Sequence, residues 1–381
     1  MPWRSRKLLK VVAGAAVSRM LTIPLIRLDP FHTQFSETED AQYFEAMEKS
    51  ALPDVEGQVL VMAWNIKFGG ARIDFWFDGH DDRVHMDEEE VRVNLSGVAE
   101  KIRQVDPDIL LIQEVDIDSK RCAFIDQMQW ILDHTGLNYG VYASQWRASF
   151  VPADGIGRVD MGNAIFSKFP IEDAQRLSLP QMETQDRLTR YFYLKRNILT
   201  ARVRIPGREA VHVINTHAEA FSKDGTKKKQ IDHFFEELCR IDQGGGLFVA
   251  GGDLNALPPG TRQQYQFEDV VSEDEDFQAS DYRGESDWLE QFYDSFTPAV
   301  SLENYQRDNR PHFTHSTSGA TFWNRKLDYL FTNGRFKEGT VLTHQDESSG
   351  GMETMPLSDH APITAALMVE KYVEDCGEID E

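Results

Sequence analysis

Seven short apolar runs after Val59 constrain the fold of this chain more than any other feature. Several are apolar throughout, which is typical of strands buried on both faces of a sheet. Between them, residues 88–106 and 226–242 place apolar side chains at helical spacing and predict amphipathic helices. This alternation predicts a layered α/β architecture in which helices cover the sheets. The runs are VLVMAWN from Val59, ILLIQE from Ile109, GNAIF from Gly162, VHVINTH from Val211, LFVAGGD from Leu247, LDYLF from Leu327 and ITAALMV from Ile363.

The chain has 381 residues and a formal net charge of -23. An acidic surface repels polyanions, which disfavours a broad basic groove for nucleic acid. The charge is compatible with a cation-dependent enzyme, because a bound metal ion reverses the local field in a cleft. No linker is evident after residue 45. We therefore expect one folded domain at residues 46–370, followed by an acidic tail at residues 371–381.

The N-terminal segment, residues 1–45, differs in character from the rest of the chain. Its first thirty residues carry six Arg or Lys and one Asp. The apolar stretch Val11 to Val17 resembles a weak signal peptide or a helix lying on an anionic membrane. An ordinary packed helix is the alternative, so the sequence leaves the cellular location open. Arg19 and Pro24 interrupt the hydrophobicity, and a full membrane span is not predicted.

Polar side chains of catalytic type stand at the ends of the apolar runs. One polar residue after a strand is ordinary turn chemistry. Ligand sites in α/β proteins form where strand ends and their loops meet, so polar groups at many ends predict convergence on one pocket. Asp253 and Asn255 are two positions apart, so an extended backbone turns both to the same side. The set consists of Asn65, Glu114, His217, Asp253, Asn255, Asp328, Asp359 and His360.

These residues lie in motifs that resemble the endonuclease/exonuclease/phosphatase superfamily over roughly residues 57–370. The resemblance implies a four-layer α/β/β/α sandwich with two central mixed sheets. It also implies hydrolysis of a phosphoester by an activated water with a divalent ion, Mg²⁺ or Mn²⁺. Such an ion supplies charge beside the phosphate and lowers the pKa of a bound water. The motifs, in family order, are WN at Trp64, QE at Gln113, GNAIFSKFPI from Gly162, NTH from Asn215, GGDLNALP from Gly251, LDYLF from Leu327 and SDHAPI from Ser358.

The resemblance assigns expected roles to the carboxylates and amides of the set. Glu114 is expected to bind the metal ion, supported by Asn65 and Asp359. Magnesium suits this arrangement because it takes a few carboxylate oxygens and retains several waters. Asp253 would orient or deprotonate the attacking water. Asn255 would donate a hydrogen bond to a phosphate oxygen.

Two histidines complete the expected site. His360 would bind the phosphate, with Asp328 fixing its ring, because an imidazole paired with a carboxylate is better held and more readily protonated. His217 would donate to the phosphate or help to protonate the leaving oxygen. The identity of the general base stays open between Asp253 and His360.

Two further residues match positions that line the phosphate site in parts of the superfamily. Asn163 and Arg196 are expected to contact substrate. The alternatives are that Asn163 caps a strand and that Arg196 forms a surface ion pair. By contrast, His312 and His315 are three residues apart without a helical pattern, and we interpret them as part of the loop before the LDYLF strand.

The NTH motif is closer to the deoxyribonuclease, sphingomyelinase and inositol phosphatase branches than to the abasic-site endonucleases. The acidic charge and the basic, apolar N-terminus favour a lipid, inositol or small-molecule phosphoester as substrate. They are also compatible with membrane contact through the N-terminus, and no obligate protein partner is expected. A DNA or RNA endonuclease of the same superfamily is one alternative. A non-catalytic binding module is the other, and the completeness of the set argues against it.

Overall fold

The computed structural model describes most of the chain between residues 29 and 369. The predicted signal-like stretch, which falls within residues 1–28, and the acidic tail at residues 371–381 lie outside the described part. No helix in that part is long and apolar enough to cross a membrane. The described ranges are 29–75, 83–220, 222, 224–261, 285, 287–317, 321–347 and 351–369.

Fourteen strands form two sheets of seven in the described residues. The strands are β1 (Thr38–Asp40), β2 (Gln42–Glu45), β3 (Gln58–Asn65), β4 (Ile109–Asp116), β5 (Tyr139–Val151), β6 (Gly157–Ser167), β7 (Ile171–Ser178), β8 (Asn197–Val203), β9 (Val211–His217), β10 (Phe248–Asp253), β11 (Thr297–Pro298), β12 (Asp328–Thr332), β13 (Leu342–Thr343) and β14 (Ile363–Met368). All seven predicted apolar runs contribute to strands.

The first sheet has the order β1-β7-β8-β9-β10-β12-β11, and the second has the order β13-β14-β3-β4-β6-β5-β2. Both sheets are mixed. The pairs β9–β10 and β3–β4 are parallel, and the other pairs are antiparallel. The parallel pairs bring two carboxyl ends to the same edge within each sheet.

Six α-helices accompany the strands in the described residues. The longest two match the amphipathic segments that the sequence predicts. The N-terminus of the first is closed by a capping box, in which Asp87 accepts from the Glu90 N–H and the Glu90 side chain accepts from the Asp87 N–H. This arrangement satisfies two otherwise unpaired donors. The helices are α1 (Glu88–Val105), α2 (Gln127–His134), α3 (Arg187–Phe192), α4 (Thr226–Gln243), α5 (Glu290–Ser295) and α6 (Leu302–Arg307).

Alternating side chains along the strands produce the layers. In β3, Val61 packs in the core between the sheets, whereas Trp64 packs on the other face with Ile102 of α1. In the first sheet, Ile214 of β9 packs in the same way against Phe234 of α4. Each fully buried large apolar side chain stabilises the fold by about 1.5–3 kcal/mol. The result is the expected four-layer α/β/β/α sandwich.

The folded domain begins earlier than residue 46. Strand β1 pairs with β7 at the edge of the first sheet, and β2 pairs with β5 at the edge of the second. Residues 38–45, assigned from the sequence to the N-terminal segment, are therefore part of the sandwich. Both are short and largely exposed edge strands, and the two adjacent aromatic residues of β2 are too few to form an apolar run.

Strand register brings the predicted site residues to one edge of the sandwich. Asp253, the last residue of β10, pairs with His217 on one side and with Asp328 on the other. In the second sheet, Asn65 at the end of β3 pairs with Gln113, the neighbour of Glu114. Backbone pairing alone thus places these residues next to one another.

The two glycines before Asp253 allow this close approach. A Cβ at Gly251 would lie 2.0 Å from the Tyr329 carbonyl oxygen, and one at Gly252 would lie 2.1 Å from the Thr216 carbonyl oxygen. Gly252 also has a φ of 121°, in the region that favours glycine. Larger residues at either position would push β10 away from its neighbours and move Asp253.

Candidate active site

A cavity of about 170 Å³ lies at this edge. We divide its lining residues into two groups. The strand-end group comprises the predicted residues Asn65, Glu114, His217, Asp253, Asn255, Asp359 and His360. The flanking group comprises Lys67, Phe68, Arg121, Trp146, Met161, Tyr193, Leu194, Arg196, Glu219, Ala220 and His315.

Glu114 enters the cavity at a bulge in β4. The pairing of β4 with β6 shifts register between Ile112 and Val115, and Glu114 has a φ of 61°. Bulges re-aim a side chain and are frequent beside active sites. Burial raises the pKa of Glu114, and the nearby Asp359 carboxylate raises it further.

Asn65 joins the two sheets at the cavity. Its Nδ2 donates to Glu114 Oε1 at 3.1 Å and to Asp253 Oδ2 at 3.2 Å. Its Oδ1 accepts from the Lys67 backbone N–H at 3.0 Å. The amide oxygen is therefore used inside the protein. This orientation lets Asn65 hold the two carboxylates, and its expected support of the metal ion stays a prediction.

Asp253 lies between two histidines. Its Oδ2 is 3.4 Å from His217 Nε2 and 3.7 Å from His360 Nε2. Its Oδ1 accepts from the Asn255 backbone N–H at 2.9 Å. Burial raises the pKa of Asp253 to about 7, with the His360 charge opposing the rise and the Asp328 charge adding to it.

His360 forms a buried pair with Asp328. The His360 Nδ1 lies 2.8 Å from Asp328 Oδ2, and the Trp64 indole donates to the His360 carbonyl oxygen at 2.8 Å. Burial alone would lower the pKa of His360, but Asp328 and Asp253 raise it to about 10. His360 is therefore a fixed imidazolium at neutral pH. Asp328 is fully buried and acts on the cavity through this ring.

His217 has the opposite electrostatic character. Burial, the Arg196 charge and the His360 charge lower the pKa of His217 well below its ordinary value. It is neutral at neutral pH, and its Nδ1 is 3.9 Å from Glu114 Oε1. Asp253 thus lies between one charged and one neutral histidine.

Asp359 and two residues missed by the sequence analysis form another side of the cavity. Lys67 Nζ lies 3.9 Å from Asp359 Oδ2. Burial would raise the pKa of Asp359, but Lys67 and His360 lower it to about 2. His315 lies in the predicted loop but packs edge-on against His360, with ring centres 4.6 Å apart. That contact is long-range, and no local pattern reveals it.

Arg196 reaches the cavity, as expected. Its Nη1 donates to Gln145 Oε1 at 3.2 Å, and its Nε faces Glu219 Oε2 at 3.6 Å. Glu219 also accepts from the Tyr193 hydroxyl at 2.9 Å. The guanidinium is almost completely buried, so it is not the surface ion pair of the alternative interpretation.

Asn163 does not reach the cavity, in contrast to the expected substrate contact. It is fully buried in β6, and its Nδ2 lies 3.3 Å from Asn197 Oδ1 in β8. Its side chain therefore points between the two sheets. The GNAIF motif places Asn163 on the inner face of the strand, where it links the sheets.

The donor set suits a hard divalent cation. The Asp359 carboxylate raises the pKa of Glu114 by repulsion, and a cation bound beside them would relieve that repulsion. Carboxylate oxygens are the ligands that Mg²⁺ and Mn²⁺ prefer. Among the described residues, the ligand atoms of two groups lie within 4.8 Å of one another, and neither group contains Glu114: His315, Asp359 and His360, and Asp253, Asp328 and His360. His360 belongs to both groups, and its Nδ1 is already paired with Asp328.

Comparisons with known proteins place these features in context. A family profile described as "Endonuclease/Exonuclease/phosphatase family" matches residues 62–360. A solved endonuclease/exonuclease/phosphatase from Beutenbergia cavernae DSM 12333 is 18% identical with a TM-score of 0.53, over 82% of this chain and 72% of that chain. This similarity shows a shared fold.

Two other solved structures are less similar in shape. The human Nocturnin catalytic domain with bound sulfate anion is 16% identical with a TM-score of 0.48, over 87% of this chain and 98% of that chain. TDP2 from C. elegans is 20% identical with a TM-score of 0.45, over 82% of this chain and 75% of that chain. No curated protein sequence matches the chain.

Proposed function

Because the chain belongs to the endonuclease/exonuclease/phosphatase family, we propose that it is a divalent-metal-dependent phosphoester hydrolase. The observation that carries the proposal is the position of Asp253, whose Oδ2 lies 3.4 Å from a neutral His217 and 3.7 Å from a charged His360. Members of the family are generally hydrolases of phosphoesters. A non-catalytic binding module would need none of this charge arrangement.

Asp253 is the proposed general base. A general base works best when its pKa lies near the working pH, and burial raises the pKa of Asp253 to about 7. His360 already holds its proton at this pH, so it is the poorer acceptor. Asp253 therefore takes a proton from the attacking water, while His217 keeps its carboxylate oriented from the other side.

His360 and Asn255 are the proposed phosphate-binding groups. The His360 imidazolium is held by Asp328, so its Nε2–H is fixed towards the cavity. Asn255 uses one amide hydrogen on the Ala218 carbonyl oxygen at 3.1 Å, and its amide nitrogen carries a second. Prearranged donors of this kind stabilise the charge that develops on phosphate oxygens, each by about 3–4 kcal/mol in comparable oxyanion sites.

Glu114 and Asp359 would hold the metal ion, Mg²⁺ or Mn²⁺, and Asn65 holds Glu114 in place. The ion supplies positive charge to the phosphate when bound. Lys67 adds a fixed positive charge beside Asp359. Arg196, held by Glu219, is the proposed further contact to the substrate.

A phosphodiester with a lipid, inositol or other small alcohol is the proposed substrate class, and the N-terminal segment is proposed to contact a membrane. The small cavity, its apolar flanking residues Trp146, Met161 and Leu194, and the net charge of -23 support this choice over a polyanionic duplex.

The test is a hydrolysis panel with Mg²⁺: sphingomyelin and phosphoinositide micelles, soluble inositol phosphates, and supercoiled plasmid. The proposal expects turnover of at least one lipid or inositol ester and slower nicking of the plasmid. Efficient nicking without turnover of the other substrates would replace it with a nuclease function.

A further inference from the structure

Lys227 is not among the residues that line the cavity, but it contacts the backbone of the cavity residue Asn255. It lies in the first turn of α4 and is fully buried. Its Nζ donates to the Asn255 carbonyl oxygen at 2.9 Å and pairs with Glu285 Oε2 at 2.6 Å. A buried ammonium is costly unless it is paired and hydrogen-bonded. Here both partners are supplied, and one of them is the backbone of a cavity residue.

The backbone at Asn255 needs such support. Its φ is 49°, in the left-handed region that non-glycine residues seldom adopt, although Asn tolerates it better than most. Three contacts hold the residue in this conformation. Its N–H donates to Asp253 Oδ1 at 2.9 Å, its Nδ2 donates to the Ala218 carbonyl oxygen at 3.1 Å, and its carbonyl oxygen accepts from Lys227.

We infer that Lys227 is a positioning residue, which fixes the left-handed turn at Asn255 and thereby the direction of its carboxamide. The inference rests on the proposed function, in which Asn255 donates to the phosphate. Lys227 acts through the backbone, so its loss would lower transition-state stabilisation more than substrate affinity.

The experiment compares Lys227→Met with Lys101→Met in the full chain, using bis(4-nitrophenyl) phosphate and Mg²⁺. Lys101 is the matched control because it is also fully buried in a helix and donates to a backbone oxygen, that of Met352, at 3.3 Å. We expect Lys227→Met to lower kcat about 10- to 100-fold with KM nearly unchanged, since a small misplacement of a binding group costs that much. Lys101→Met should retain wild-type kcat. Equal losses of kcat in the two variants would overturn the inference.

Asn255→Ala and the double variant Lys227→Met/Asn255→Ala complete a double-mutant cycle, which measures whether the two residues act through each other. If Lys227 acts through Asn255, the double variant is no slower than Asn255→Ala alone. Fully additive losses would overturn the inference. A slow Asn255→Ala with a wild-type Lys227→Met would also overturn it, while leaving the proposed function intact. A wild-type kcat for Asn255→Ala would overturn the proposed role of Asn255 and the inference with it.

Glu285→Gln is the second variant, for use if Lys227→Met does not fold. It weakens the anchor of the lysine at 2.6 Å without removing the ammonium. The expected result is a smaller loss of kcat, with KM again nearly unchanged. A wild-type kcat for Glu285→Gln in that case would contradict the positioning role.

Discussion

The strand-end group and the flanking group line the same cavity but reach it in different ways. Asn65, Glu114, His217 and Asp253 of the first lie on strands and are fixed by register, as when Asp253 pairs with both His217 and Asp328. Asn255 follows β10, and Asp359 and His360 precede β14. Members of the second come from turns, loops and the hairpin of β5 and β6, as with Lys67, Tyr193 and Trp146. The sheets therefore fix the proposed general base and Glu114, and less regular segments supply the other groups that line the cavity.

Within the strand-end group, His360→Ala is expected to cause one of the largest losses of activity. The variant removes the imidazolium and leaves Asp328 buried without its partner. We expect kcat/KM for bis(4-nitrophenyl) phosphate to fall by about 10³-fold or more, as for loss of a principal transition-state donor. Circular dichroism of the same sample provides the folding control. A folded variant with wild-type kcat/KM would remove His360 from the proposed chemistry.

Asn65→Ala tests the support of the metal site. Asn65 donates to both Glu114 and Asp253, so its loss frees Glu114 to turn away. We expect the dissociation constant for Mn²⁺ to rise about 10- to 100-fold, the range for residues that orient metal ligands. Calorimetric titration with Mn²⁺ measures this without reference to turnover. An unchanged dissociation constant would mean that the ion does not bind at Glu114.

The pH profile tests the charges assigned to the strand-end group. kcat/KM should rise through a pH of about 7 as Asp253 loses its proton, and fall through about 10 as His360 loses its own. Asp328 raises the pKa of His360, so Asp328→Asn should move the alkaline limb to lower pH. An alkaline limb that stays in place in Asp328→Asn would show that His360 does not produce it.

The smallest effect is expected in the flanking group. Tyr193→Phe removes the hydroxyl that donates to Glu219 at 2.9 Å and leaves the strand ends untouched. Loss of one such hydrogen bond is worth about 0.5–3 kcal/mol, depending on how well its partner is resolvated. We expect KM to rise several-fold while kcat stays near the wild-type value. A large loss of kcat with unchanged KM would move Tyr193 into the chemistry.

The sequence predicts the layers of the fold better than their edges. The seven apolar runs identify central strands because those strands are buried on both faces. Polar residues interrupt β7 along its length and β5 at Ser144, Gln145, Arg147 and Ser149, so neither strand is one continuous apolar run. The edge strands β1 and β2 have only three and four residues, too few to form an apolar run, which is why the expected domain start at residue 46 lies after them.

The candidate site divides in a similar way. The motifs identify Glu114, Asp253 and His360, because each lies in or beside a recognisable strand. They do not identify His315 or Glu219, whose contacts with His360 and Arg196 depend on loop paths. The expected substrate contact of Asn163 differs from the structure for another reason. Its motif is read correctly as a strand, but the side chain lies on the face between the sheets.

The hydrolysis of bis(4-nitrophenyl) phosphate with and without Mg²⁺, by the wild type and by Asp253→Asn, tests the central claim most directly. Asn preserves the shape of the side chain but cannot take a proton from water. The account predicts wild-type turnover that requires Mg²⁺ and a loss of about 10³-fold or more in Asp253→Asn, as for removal of a general base. Turnover that is independent of Mg²⁺, or undiminished in Asp253→Asn, would contradict it.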